Sequence, residues 1–118
     1  MAPVALKDPS HLYTTMRTAD HAVRPGFGIH EMELDLHHSV PWHSHSKISD
    51  TFYVISGTLK LSLREPEEVL ILPPTHCYRV APERPHMVEN GGDGPLTVLV
   101  LQGVGEYDYL PLTEPTQQ

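Results

Sequence analysis

The feature that most constrains this chain is a run of side chains that alternate between apolar and polar with a period of two. From Thr58 to Arg64 the leucines at 59, 61 and 63 are interleaved with Lys60, Ser62 and Arg64. Successive residues of an extended strand point to opposite faces, so this pattern predicts a strand with one buried and one wet face. Ile29 to Leu36 repeats it, with His30, Met32, Leu34 and Leu36 on one side and Glu31, Glu33 and Asp35 on the other. Thr51 to Ile55, Val69 to Leu72, Cys77 to Val80, His86 to Glu89 and Leu96 to Leu101 are short runs rich in the β-branched, aromatic and aliphatic residues that suit strands. Turn chemistry separates them: Ser56-Gly57, Glu65-Pro66-Glu67 and Gly91-Gly92-Asp93-Gly94-Pro95. No window carries the i, i+3, i+4, i+7 apolar spacing of a long helix. The expected fold class is therefore all-β, a single-domain sandwich or closed antiparallel barrel.

At 118 residues, one domain is expected. Residues 1–26 are punctuated by Pro3, Pro9 and Pro25-Gly26 and read as an arm with a short edge strand at Leu12 to Met16. The barrel would span 27–112, and the polar residues 113–118 would form a mobile tail. The net charge of −7 comes from scattered acidic residues, and no basic cluster marks a nucleic-acid surface. No stretch approaches the roughly 18 apolar residues of a membrane span, and the first ten residues lack the basic start and apolar core of a signal peptide. The single cysteine, Cys77, has no internal partner, which suits a reducing cytoplasm. An open barrel leaves strand edges that need cover. A homodimer is expected, with the proline-rich arm and the apolar stretch Tyr107 to Leu112 as covers.

Histidine is concentrated: six of the nine histidines fall between His37 and His86. His43 and His45, two apart, project to one side of an extended chain, about 7 Å apart along it. Two imidazoles so placed can share one ion. Asp50 opens the Thr51–Ile55 strand and can return a carboxylate to the same space. His86 opens a later strand, after Pro82-Glu83-Arg84-Pro85.

At these offsets the sequence resembles the cupins. The first cupin motif reads Gly, five residues, His-x-His, three or four residues, Glu, six residues, Gly. Here His43, Ser44 and His45 are followed by four residues, Asp50, six residues and Gly57. The second motif reads Gly, five residues, Pro-x-Gly, two residues, His, three residues, Asn, and His86 and Asn90 match its last two fixed positions. His37, Thr75 and Glu83 stand at motif glycines, Ala81 at the proline and Asp50 at the glutamate. The turn residues differ while the three histidines are kept.

The resemblance covers roughly Gly28 to Gln102. It implies a jelly-roll barrel with one divalent ion (Fe, Mn, Ni, Co or Zn) held by His43, His45, His86 and Asp50. Asp50, one methylene shorter than glutamate, could ligate the ion or stand beside it as the catalytic base. The family implies no single reaction, since cupins include dioxygenases, isomerases, lyases, cyclases and binding modules. The expected function is a metal-dependent enzyme acting on a small polar or aromatic metabolite. The alternative is a non-catalytic metal- or ligand-binding module.

Among neighbouring residues, Phe52 shares the parity of Asp50 and should face the cavity, while Tyr78 or Arg79 could donate to a ligand. Trp42 would wall the pocket mouth or a subunit contact. Asn90, Gln102 and Glu106-Tyr107 read as turn, structural or interface residues, and His37, His38 and His76 as surface residues.

Overall fold

The computed structural model describes residues 5–112, and the expected mobile tail at 113–118 lies outside the described residues. Ten strands follow a short 3-10 turn at Ser10–Leu12: β1 (Arg17–Arg24), β2 (Phe27–Leu34), β3 (Ser39–Ser44), β4 (Ser49–Ser56), β5 (Leu59–Leu63), β6 (Glu68–Leu72), β7 (Cys77–Val80), β8 (His86–Asn90), β9 (Leu96–Gly103) and β10 (Leu110–Pro111). They form two antiparallel five-stranded sheets. One is ordered β1-β2-β9-β4-β7 and the other β10-β3-β8-β5-β6. The fold is all-β, a double-stranded β-helix of the jelly-roll kind. Among the described residues no helix is long and apolar enough to cross a membrane.

The alternating leucines of β5 and the inward residues Leu34, Phe52, Val54, Val98 and Val100 of the opposite sheet close one apolar core, joined by Val40 and Val88. Burial of these side chains is the main source of stability, at roughly 1.5–3 kcal/mol each. At the β4–β5 turn Gly57 has φ 83°, and a Cβ there would meet Pro95 O at 2.4 Å. Only glycine fits.

Three features differ from the pattern expected from sequence. The strand of the N-terminal segment lies at Arg17–Arg24, not at Leu12–Met16, because its ladder to β2 runs from Arg17–Glu33 to Arg24–Phe27. Its residues are mostly exposed and a register shift falls between Asp20 and Ala22, so no clean alternation marks it. Leu36 lies beyond β2 and is exposed, not inward. Strand β3 carries a bulge: Val40 pairs with Val88 and His43 with His86, three residues on one strand against two on the other. The bulge falls at Pro41-Trp42, where proline's missing N–H costs the ladder nothing. It turns both Val40 and His43 inward.

The segments expected to cover a partner's edge lie against their own chain. Leu6 bridges Tyr109, and β10 pairs with β3.

Candidate metal centre

Three strands and the turn after the first of them deliver four side chains to one point. The β3 bulge turns His43 inward, and His45 follows just past the strand end. Asp50 shares the inward parity of Phe52 and Val54 on β4, and His86 opens β8 directly opposite His43. All four are buried, and one ligating atom from each lies within 4.8 Å of the others. The Oδ2 of Asp50 is 2.9 Å from His45 Nε2, 3.1 Å from His86 Nε2 and 4.0 Å from His43 Nε2.

The backbone fixes which nitrogen faces inward. His43 Nδ1 donates to Pro41 O at 2.7 Å, His86 Nδ1 to Arg84 O at 3.0 Å and His45 Nδ1 to Asp108 O. A carbonyl only accepts, so each Nδ1 carries the hydrogen and each neutral ring turns an Nε2 lone pair toward the carboxylate. Lone pairs then face lone pairs, and the cluster needs positive charge at its centre. A proton on His45 answers one of these contacts. A single divalent cation answers all of them. Donors about 2.1 Å from one ion stand about 3 Å apart at right angles and about 4 Å apart when opposed. The spacings of the three imidazoles from Asp50 Oδ2 fit such a shell. The four residues could hold a metal ion.

The electrostatics agree. Burial lowers the His43 pKa to about 4. Burial also acts against charge on His45, but the adjacent Asp50 and the hydrogen bonds outweigh it and raise the His45 pKa. Asp50 is likewise opposed by burial, yet His45 and the imidazole hydrogen bonds hold its pKa well below the ordinary value. The centre thus presents one carboxylate and an imidazole, His43, that resists protonation.

A second layer of residues holds these four. Gln102 Nε2 donates to Asp50 Oδ1 at 2.9 Å. The Arg84 guanidinium reaches Arg64 O, Pro66 O, the Tyr78 hydroxyl and Glu68, while its own carbonyl accepts from His86. Asp108 accepts from Ser46 N and Ser46 Oγ, and its carbonyl from His45. Tyr13, Tyr107 and Tyr109 close the centre. Burial, with Asp50 nearby, raises all three phenol pKa values.

A cavity of about 40 Å³ touches His43, His45 and Asp50. Beyond it lies a cleft of about 580 Å³, and Tyr13, Met32, Val100, Gln102 and Tyr107 line both.

The sequence-derived quartet of His43, His45, Asp50 and His86 comes together as one cluster, and Phe52 lies against it, its ring 6.0 Å from that of His86. His37 and His76 are exposed and His38 half-buried. Asn90 staples its turn to Leu34 O, Gly94 O and Gly92 N. Tyr78 serves Arg84, Arg79 is exposed, and Trp42 packs under Arg64 with the guanidinium carbon 3.9 Å from the ring centroid. Gln102 and the three tyrosines were not legible as site residues. For Gln102 a signal existed: it continues the inward series Leu96, Val98, Val100 as a polar residue.

Residues 30–106 match the family model described as Cupin domain, and the chain belongs to that family. No curated protein gives a significant match. Among solved structures, a conserved protein with a double-stranded beta-helix domain from Klebsiella pneumoniae is similar, with a TM-score of 0.72 and 17% identity over 86% of this chain and 80% of that one. A DMSP lyase from Ruegeria pomeroyi gives 0.64 and 14% over 75% of this chain and 47% of that one. An oxalate oxidase gives 0.66 and 12% over 74% and 46%. At such identities the likeness is one of fold.

Proposed function

We propose that this chain is a metal-dependent cupin enzyme that acts on a small polar or aromatic metabolite, by chemistry of the oxygenase, isomerase, lyase or cyclase type. The observation that carries the reading is the convergence of three backbone-fixed imidazole lone pairs and the Asp50 carboxylate beside a cavity that adjoins a larger cleft. His43, His45, His86 and Asp50 would hold one divalent ion (Fe, Mn, Ni, Co or Zn). Such an ion supplies Lewis acidity toward a substrate oxygen.

The chain's own residues do the rest. The carbonyls of Pro41, Arg84 and Asp108 orient the imidazoles. Gln102 holds one oxygen of Asp50 and the imidazoles crowd the other, so we assign Asp50 to ligation ahead of a role as free base. The cleft of about 580 Å³ has the size of a small-metabolite site. Its shared walls, Tyr13 and Tyr107, shield the centre from bulk water. The exposed thiol of Cys77 suits a reducing compartment, and we place the protein in the cytoplasm as a homodimer.

The test has two parts. Protein purified without added metal should contain close to one ion per chain, and His43→Ala, His86→Ala and Asp50→Asn should each lower that content sharply. Asp50→Asn protein that retained its metal but lost activity would restore Asp50 to the role of base. Metal-loaded protein incubated with a small-molecule extract should then deplete a compound that His86→Ala leaves untouched. The small size of the inner cavity favours one other reading, a binding module, and metal-loaded protein that changed nothing in the extract would leave that reading standing.

A further inference from the structure

Tyr109 is 1% exposed, and its hydroxyl is buried with no hydrogen-bond partner among the described residues. Its ring lies nearly parallel to that of His43, with centroids 4.4 Å apart and planes 10° apart. Its backbone is tied to Leu6 by two hydrogen bonds of 2.8 Å, so the ring cannot easily swing toward solvent. It lines the cavity that touches His43, His45 and Asp50. A phenol buried without an acceptor costs stability that a phenyl of the same shape would not. The acidic neighbour offers no relief, since Gln102 occupies Asp50 Oδ1 and the imidazoles surround Oδ2. The acceptor must come from outside the chain.

The charge count says what kind of acceptor fits. A divalent ion with three neutral imidazoles and one carboxylate keeps a single positive charge. A monoanion brings the centre to neutrality, and buried charge is tolerated only when paired. The cavity, at about 40 Å³, suits a carboxylate-sized group and little more. The rest of the molecule would extend between Tyr13 and Tyr107 into the cleft.

We propose that the Tyr109 hydroxyl donates a hydrogen bond to a monoanionic oxygen ligand, a carboxylate or an enolate, seated between it and the His43–His45–Asp50–His86 cluster. This rests on the reading of that cluster as a metal centre.

The probe is acetate, titrated into cobalt-loaded full-length protein and followed by the visible spectrum of the ion and by calorimetry. Wild-type protein should bind acetate. Tyr109→Phe should take up cobalt as tightly as wild type, melt at the same or a higher temperature without metal, and bind acetate about tenfold or more weakly. Equal acetate affinity in the two cobalt-loaded proteins would overturn the proposal, as would cobalt-loaded wild type that ignores acetate. A lowered melting temperature of metal-free Tyr109→Phe would also overturn it, by revealing a partner for the hydroxyl within the protein. Wild-type protein that failed to bind cobalt at all would instead remove the metal reading beneath it.

Discussion

Gln102 stands opposite Asp50 in the β4–β9 register and donates from Nε2 to Asp50 Oδ1 at 2.9 Å, leaving Oδ2 to the imidazoles. A hydrogen bond behind a ligating carboxylate fixes which oxygen is presented and in what direction. Gln102→Leu keeps the bulk and removes the donor. Metal affinity should fall about 10- to 100-fold, the range for loss of such a supporting group. Competition with a chromophoric chelator measures it. Unchanged affinity would mean that the imidazoles alone orient Asp50.

The acid stability of the metal-free protein should depend on His43. Burial lowers its pKa from the ordinary 6.5 to about 4, so between those values the unfolded chain binds a proton that the folded chain refuses. Stability then rises with pH across this window and is lost as pH falls from about 6.5 to about 4, by up to about 3 kcal/mol from this group. His45, whose pKa is raised, acts the opposite way: its contribution is full below 6.5 and fades as pH rises through its folded value. His43→Gln should therefore flatten the stability profile between pH 4 and 6.5, as read by urea unfolding without metal. A profile parallel to wild type would show that His43 does not govern it.

Much of the site was legible because its four residues lie at the offsets of the two cupin motifs. The resemblance to those motifs, and not the His-x-His spacing by itself, is what named His43, His45, Asp50 and His86 together. The strand that carries His43 was harder to read, since the bulge at Pro41-Trp42 breaks the period of two. Strand β1 was missed for a related reason: it is a mostly exposed edge with a shifted register, so hydrophobic burial leaves no pattern on it. Tyr13 and Tyr109 come from opposite ends of the chain and stack with centroids 6.4 Å apart. No local pattern encodes such a meeting.

The proposed homodimer has a specific candidate surface. The arm and the C-terminal strand lie on their own chain, while β6 is the outer strand of its sheet. Val69 and Ile71 on β6 are 57% and 56% exposed, and an apolar outer strand invites pairing. Sedimentation equilibrium at micromolar concentration should give twice the 13.2 kDa chain mass, and Ile71→Lys should give one chain mass. A wild-type chain of single mass would rule the dimer out, and a dimer untouched by Ile71→Lys would move its interface elsewhere.

Thr75 and Glu83 occupy the two glycine positions of the second cupin motif, and both keep a glycine-like backbone, with φ 73° and 71°. The turns persist because each is anchored from within. Thr75 N donates to Val54 O at 2.9 Å, and Glu83 N to His45 O at 2.6 Å, beside the proposed centre. Left-handed backbone costs an L-residue about 1–2 kcal/mol, and the cost bears hardest on a β-branched one. Glycine removes that strain but frees the unfolded chain, which takes back about 0.4–1 kcal/mol. Thr75→Gly and Glu83→Gly should therefore each stabilise the protein by about 0.5–1 kcal/mol, with Thr75→Gly the larger gain. Gly57→Ala is the opposing control: φ is 83° there and the added methyl would collide with Pro95 O, so a loss of more than about 2 kcal/mol is expected. Urea midpoints at constant m-value report all three changes. If Thr75→Gly lowered the midpoint, the threonine side chain would have to supply more stability than its backbone strain removes.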